Sequence, residues 1–272
     1  MRLEPTITSV QNAWVKEIKR LHHSSNRYEQ QKFLIEGSHL VEEAIATGWP
    51  LEAICFDANW ARNNQEILAA IDEDASRRNV LLQPASEAIL RRLSTTDSAC
   101  SVIAVALQGE SIAFAPRELS LAIAVESVQD PGNLGALIRI AAAAGIGPII
   151  LSPDSVDPFN PKVLRSTAGQ WFRGPPVIVD LLSLLRSQRK KNVQILAASA
   201  NGKSFWECDL TVPTIFLLGN EGAGLSSELR AEATDVIAIP MAEGVESLNV
   251  AVTGALLIFE AQRQRKTAPK SD

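Results

Sequence analysis

Residues 217–226 read LLGNEGAGLS, an apolar run that breaks at a glycine-rich polar turn. Ile215 to Leu218 are bulky apolar residues of the kind that fill a strand buried on both faces. Gly219, Gly222 and Gly224 then free the backbone from ordinary steric limits, so the main chain can approach a ligand closely. Ser226, followed by Ser227, Glu228 and Leu229, has the signature of a helix N-cap with an acidic first turn. The stretch is therefore expected between a strand end and a helix start, where α/β sheets bind ligands. Neither the P-loop nor the dinucleotide glycine spacing is present, and no lysine is placed to reach a phosphate, which disfavours a nucleotide-phosphate loop. The same ten residues are also compatible with a plain surface turn.

Outward from this turn, short apolar runs alternate with helical patterns in both directions. Downstream lie a helix over 226–233, the strand VIAIP (236–240) and a final helix from Leu248 to about Arg265. Upstream, strands are expected at 121–128, 148–152, 176–179 and 193–199, with helices at 133–145, 162–170 and 181–189 between them. Five or six parallel strands follow from that pattern. The first half repeats it more weakly. A helix capped by Ser9 and a second basic segment over 24–31 precede strands at 33–37, 51–56, 80–84 and 101–107, with helices at 38–48, 61–78 and 86–93. Residues 1–108 thus form a small α/β domain, 109–119 (GESIAFAPREL) a linker, 120–266 a second domain and 267–272 a tail.

With 272 residues and 46% apolar content the chain can bury a real core. No run approaches the roughly 18 uncharged apolar residues of a membrane span, and the opening twenty residues hold no apolar signal core. A cytoplasmic protein without membrane contact is expected. Cys55, Cys100 and Cys208 are odd in number and far apart, and His22, His23 and His39 add no ligand spacing, so neither disulfides nor a metal site is expected. The net charge of -5 is unevenly spread. Residues 1–35 carry Arg2, Lys16, Lys19, Arg20, Arg27 and Lys32 against Glu4, Glu17 and Glu29. That local excess reads either as a solvated helix face or as an electrostatic footprint for nucleic acid.

Three segments stand at the expected carboxyl ends of strands: VQDPGNLGALIRIA (128–141), LLGNEGAGLS, and IPMAEGVESLNVAVTGALLIFEA (239–261). Their order, spacing and residue types resemble the three motifs of the SpoU, or TrmH, family of RNA ribose 2′-O-methyltransferases, within the knotted SPOUT class. The resemblance covers Leu121 to Arg265. The first 110 residues resemble, more loosely, the substrate-binding domain related to the ribosomal protein L30e fold that often precedes it. Gly132, where histidine or asparagine is common, and Thr253, where alanine is common, depart from the family pattern without removing a functional group.

The resemblance implies an α/β fold with a C-terminal knotted parallel sheet. It implies S-adenosyl-L-methionine held in a trefoil knot by Leu218, Gly219, Ile239, Met241 and Leu248. It also implies a catalytic set of Arg139, Asn133, Glu221, Ser247 and Asn249, and a homodimer without metal. Arg139 holds the central role in that set. Guanidinium stays protonated, so Arg139 is expected to anchor the target phosphate and stabilise developing oxyanion charge rather than act as a base. Asn133 doubles as the expected N-cap of its helix, and Ser247 as an alternative N-cap of the last helix. The alanines around Arg139 suggest a helix packed on all sides. RNA is the expected substrate, 23S ribosomal RNA ahead of transfer RNA, with Lys16, Lys19 and Arg20 as contacts in the first domain. Two rival readings are an RNA-binding protein on a decayed methyltransferase scaffold and an ordinary Rossmann enzyme. The persistence of Arg139, Glu221 and Asn249 argues against the first, and the missing dinucleotide fingerprint against the second.

Overall fold

Asn12 starts the first helix: its Oδ1 accepts from the backbone N–H of Trp14 at 2.8 Å and Val15 at 3.4 Å, so α1 spans Ala13–Lys19 rather than beginning at Ser9. The computed structural model describes residues 4–73, 80–96, 100–109 and 119–267. The expected linker and tail, and the end of the helix expected over 61–78, fall largely outside these. Residues 1–113 with 159–172 pack as one unit, and 114–158 with 173–272 as another.

In the first unit, α2 (Ser24–Gln30) leads into β1 (Lys32–Glu36), α3 (Ser38–Ala46), β2 (Leu51–Phe56), α4 (Ala58–Asn63), α5 (Gln65–Glu73), β3 (Leu81–Pro84), α6 (Glu87–Leu93) and β4 (Val102–Leu107). The sheet order is β1-β4-β2-β3, with β4 antiparallel to both its neighbours and β2 parallel to β3. The sheet is therefore mixed. One face buries Val15, Ile18 and Leu21 with Ile89, Leu90 and Leu93 against Leu34, Ile103 and Val105. Residues 159–172, which include a helix at Pro161–Ser166, belong to this unit although the expected division places them in the second. Their aromatic rings explain it. Phe159 and Trp171 pack on Phe33 with centroids 5.0 and 5.3 Å apart, and Trp171 meets Trp49 edge-on at 4.9 Å.

The second unit carries β5 (Leu121–Val125), α7 (Pro131–Ala144), β6 (Ile150–Leu151), β7 (Val177–Ile178), α9 (Leu181–Arg189), β8 (Gln194–Ser204), β9 (Thr214–Leu218), α10 (Ser227–Ala231), β10 (Asp235–Ala238) and α11 (Val250–Thr267); Pro161–Ser166 is α8 in chain order. All ladders are parallel, in the order β10-β8-β9-β5-β6-β7. Parallel strands put all their carboxyl ends at one edge, so the segments after β5, β9 and β10 converge there. Every residue of β5 and β9 is buried, as expected for strands covered on both faces. On α11 the glycine Gly254 lets the helix pack closely against α7: a Cβ there would meet Leu137 Cδ2 at 2.8 Å, with Ile123 of β5 and Leu218 of β9 next at 3.4 and 3.5 Å.

Two capping expectations are corrected. The α7 N-cap is Asp130, whose Oδ1 accepts from Asn133 N–H at 2.9 Å, with Pro131 in the first turn. The residue before α11 is Asn249, whose Oδ1 accepts from Ala251 N–H at 2.9 Å and Val252 N–H at 3.3 Å, and not Ser247. Nor is α7 packed on all sides within this chain, because Arg139, Ala142 and Ala143 are exposed.

Candidate active site

Strand β9 ends at Leu218 and the chain turns through Gly219 to Ser226, whose Oγ accepts from Leu229 N–H at 3.3 Å to start α10. The turn is tightly tied. Asn220 and Gly224 exchange both backbone hydrogen bonds, Asn220 Oδ1 accepts from Gly222 and Ala223 N–H at 2.9 Å each, and its Nδ2 donates to the Ser127 carbonyl at 2.7 Å. Because the loop doubles back so closely, a Cβ on Gly219 would overlap the backbone of Gly224 and Leu225. Only glycine fits there.

This turn, the segment 239–249 and the start of α11 surround a cavity of about 620 Å³. Its apolar wall includes Leu218, Ile239, Met241, Leu248 and Leu257, and Gly219 contributes backbone. Its polar lining includes Asn133, Glu221, Ser247 and Asn249. All five expected cofactor residues and four of the five expected catalytic ones thus share one cavity. Arg139 does not line it; it stands exposed on α7.

Three of these polar groups, Glu221, Asn133 and Asn249, form one hydrogen-bonded chain. Glu221 Oε1 accepts from Asn133 Nδ2 at 3.0 Å, and Asn133 Oδ1 accepts from Asn249 Nδ2 at 2.7 Å. The Glu221 carboxylate also accepts from the backbone N–H of Gln129 at 3.3 Å and of Asp130 at 3.4 Å. Partial burial pushes its carboxyl up, but the bonds from Asn133, Gln129 and Asp130 outweigh that and hold it below the usual carboxylate range. The post-β5 loop is braced from its other side. Gln129 Nε2 donates to the Asp154 carbonyl at 2.9 Å, and Ser127 and Ser152 donate hydroxyls to the Asp154 carboxylate, which lower its pKa.

Ala198, Ser199 and Ala200 also line the cavity. They were not expected. Between Val236 and Ile237 the pairing of β10 jumps from Ala197 to Lys203, so residues 198–202 of β8 bulge out of register, and Gly202 lies directly against Ile237. The only hint in the sequence is the run of small residues ASANG.

Of the other expected residues, Lys16, Lys19 and Arg20 line a separate hollow in the first unit, together with Arg92. Arg27, counted in the basic excess, is only 3% exposed and donates to the carbonyls of Leu21 at 2.8 Å and His22 at 3.0 Å. It is a structural cation. Among the described residues no three His, Cys, Asp or Glu side chains cluster as metal ligands, and no helix is long and apolar enough to cross a membrane.

Residues 120–259 match the model of the SpoU rRNA methylase family, and residues 12–104 that of the MRM3-like substrate binding domain. The chain is 37% identical over 265 residues to an uncharacterized tRNA/rRNA methyltransferase of Synechocystis sp., covering 97% of this chain and 95% of the relative. It is 33% identical over 255 residues to the 23S rRNA (guanosine(2553)-2′-O)-methyltransferase RlmP of Bacillus subtilis, covering 93% and 97%. Among solved structures, an AdoMet-bound rRNA methyltransferase from Sinorhizobium meliloti superimposes with a TM-score of 0.84 at 32% identity, over 95% of this chain and 97% of that one. With the three motifs gathered on one cavity and these likenesses running nearly the length of the sequence, the chain belongs to the SpoU rRNA methylase family.

Proposed function

We propose that the protein transfers a methyl group from S-adenosyl-L-methionine to a ribose 2′-hydroxyl of 23S ribosomal RNA. The observation that carries this is the single cavity in which the Glu221–Asn133–Asn249 chain faces the apolar wall of Leu218, Ile239, Met241 and Leu248. The cavity suits the cofactor. At about 620 Å³ it falls within the usual few hundred to 1,000 Å³ of small-molecule sites, and its apolar side chains beside loop backbone groups match a nucleoside. When bound, S-adenosyl-L-methionine supplies the electrophilic methyl group. Leu218, Ile239, Met241 and Leu248 would hold its apolar surface, while Gly219 lets the main chain come close enough to hydrogen-bond its polar edge. Asn133 and Asn249, fixed by the Glu221 carboxylate, orient the target ribose. Ser247 is a further hydroxyl at the rim. Holding the acceptor oxygen in line with the methyl group is the main task of such a site, and proton loss can pass to water or a phosphate oxygen.

Arg139 enters this reading through a second copy of the chain. Val252, Leu256 and Phe259 are 47, 41 and 47% exposed along one side of α11, an apolar stripe at helical spacing. A homodimer through α11 would cover that stripe, and we place Arg139 at the partner's cavity, where its planar fork stabilises the developing oxyanion. The segment after β10 and residues 200–202 and 204 of β8 line one hollow, an arrangement compatible with the knotted topology expected of the last two motifs. Ribosomal RNA is favoured over transfer RNA because the named relatives that cover both halves of the chain include a 23S rRNA enzyme. Such a substrate sets the protein in the cytoplasm, with the first unit as its RNA reader.

Calorimetry with S-adenosyl-L-methionine, followed by mapping of 2′-O-methyl groups in 23S rRNA from cells with and without the gene, tests the proposal. Binding together with one missing methyl group is expected. An unchanged 23S methylation map would refute it.

A further inference from the structure

The first unit holds a second basic concavity, which shares only Lys19 with the expected contacts on α1. A hollow of about 590 Å³ is lined by Lys19, Arg91, Arg92, Lys162 and Arg165, with His22 and Thr95 between them. These cations come from three separate stretches of sequence, α1 and its following turn, α6 and α8, and the fold brings them to one surface. By contrast, much of the charge that makes residues 1–35 basic is already committed. Arg27 is buried, Lys32 pairs with Glu52 at 2.5 Å, and Arg20 lies 3.7 Å from Glu29. Among the described residues Lys19, Arg92 and Lys162 have no carboxylate within ion-pair distance. Burial and, to a lesser degree, the neighbouring Arg92 push the Lys19 ammonium below its ordinary pKa.

The walls of this hollow are built and braced. Glu36 is 5% exposed, at the end of β1. Its carboxylate accepts from the Thr95 hydroxyl at 2.5 Å, from Thr95 N–H at 3.1 Å and from the Ser94 hydroxyl at 3.2 Å, and Arg165 Nη1 reaches it at 3.2 Å. Arg165 Nη1 also donates to Thr95 Oγ1 at 2.8 Å. One edge of the guanidinium is thereby fixed by a buried anion while the side chain remains about one-third exposed. On the other wall His22 Nε2 donates to the Leu93 carbonyl at 2.7 Å, which ties the turn after α1 to the end of α6. Several cations around a concave surface suit an anion with several oxygens, and the one guanidinium that is held in place, Arg165, suits phosphate.

We infer that this hollow is the seat of an RNA backbone phosphate, with Lys19, Arg92, Lys162 and Arg165 as its contacts and Glu36 as the residue that positions Arg165. The inference rests on the reading of the chain as an RNA methyltransferase and adds to it the place where the first unit grips the substrate. The grip is sequence-independent, since backbone contacts set register and orientation while bases are read elsewhere. The adjoining hollow lined by Lys16, Lys19 and Arg20 shares Lys19, His22 and Arg92 with it, so the RNA strand can run from one to the other.

The test uses the full chain and a 23S rRNA transcript in filter binding from about 50 to 300 mM salt. Arg92→Ala/Lys162→Ala should weaken binding tenfold or more at low salt and make the log–log salt slope shallower by roughly 1.4 to 1.8, the share of two neutralised phosphates. Lys190→Ala/Lys191→Ala in the second unit should leave the slope as it was. Glu36→Gln should weaken RNA binding severalfold in the wild-type background and cause no further loss in Arg165→Ala, a coupling that a merely structural role of Glu36 would not produce. S-adenosyl-L-methionine affinity should stay unchanged throughout. A wild-type slope and affinity in the Arg92→Ala/Lys162→Ala variant would overturn the inference. A wild-type protein that binds this transcript without methylating it would instead overturn the functional reading and leave the phosphate seat to be judged by the slopes alone.

Discussion

Asn249 donates from Nδ2 to Asn133 Oδ1 at 2.7 Å, joining the residue that precedes α11 to the first turn of α7 across 116 positions of sequence. The same side chain caps α11 through its Oδ1. Structural duty and site geometry therefore share one amide, and substitutions can pull them apart. Asn249→Asp keeps the capping acceptor but loses the donor to Asn133. It should melt within a few degrees of wild type while methyl transfer falls by a hundredfold or more. Asn249→Ala should lose both, with about 1 kcal/mol of stability from the cap. Thermal melts beside single-turnover rates check the pair, and equal rates for wild type and Asn249→Asp would sink the assignment.

Glu221 is held ionised by its hydrogen bonds, and its depressed pKa sets the sign of a pH effect. A carboxylate whose folded pKa lies below its unfolded value of about 4.3 stabilises the fold at all higher pH and loses that contribution as pH falls through the folded value. Loop order around the cavity should thus be flat from neutral pH to about 4.5 and decline below it. Glu221→Gln should remove this acid-side decline and cut transfer, because a neutral amide binds the three donors less strongly. Cofactor affinity measured against pH in both proteins decides it.

Arg139→Ala should bind S-adenosyl-L-methionine almost normally and lose methyl transfer by orders of magnitude, with little rescue by lysine, since a point charge does not replace a planar fork. A mixing experiment reports which cavity Arg139 serves. Gly219→Val should abolish cofactor binding by steric overlap with Gly224. If Arg139 acts across a dimer, co-expressing the two inactive variants yields heterodimers with one intact site, and about a quarter of wild-type activity should return. No recovery would place Arg139 at its own chain's cavity or outside the reaction.

Phe259→Glu sets a charge in the exposed apolar stripe of α11 without touching the buried residues Leu257 and Ile258. If the chain pairs through α11 as proposed, wild type should sediment as a dimer and Phe259→Glu as a monomer, with the melting temperature of the fold largely intact. Persistence of the dimer would move the interface elsewhere.

The glycine-rich turn was legible because its chemistry is local. Leu218 ends a buried strand, Gly219 and Gly224 meet, and Ser226 caps a helix, as their residue types imply. Parallel strands then did the rest, bringing Asn133, Glu221 and Asn249 to the same edge of the sheet. The caps were harder: Asp130 wins over Asn133 because Pro131 presets the first turn, a signal present in DPGN. The 198–202 bulge was barely legible, since beyond the small-residue run ASANG it depends on where β10 pairs with β8. Nor was the place of Arg139: the alanine-rich run around it suggests packing on all sides, whereas Arg139, Ala142 and Ala143 are exposed and, of the alanines at 141–144, only Ala141 and Ala144 are buried. The attachment of 159–172 to the first unit was hidden for a similar reason: its partners Phe33 and Trp49 lie more than a hundred positions upstream. Without the first sheet, Phe159 and Trp171 would lose their partner rings Phe33 and Trp49.

That late-arriving aromatic segment also orders events during synthesis. When the ribosome has made the first sheet, the rings that cover Phe33 and Trp49 do not yet exist. At about 5–20 residues per second, the roughly 60 residues between the end of that sheet and Phe172 take several seconds to appear. For that interval the nascent sheet is a half-finished surface, open to chaperones and to neighbouring chains, and it closes only after the first motif of the catalytic unit has already been translated.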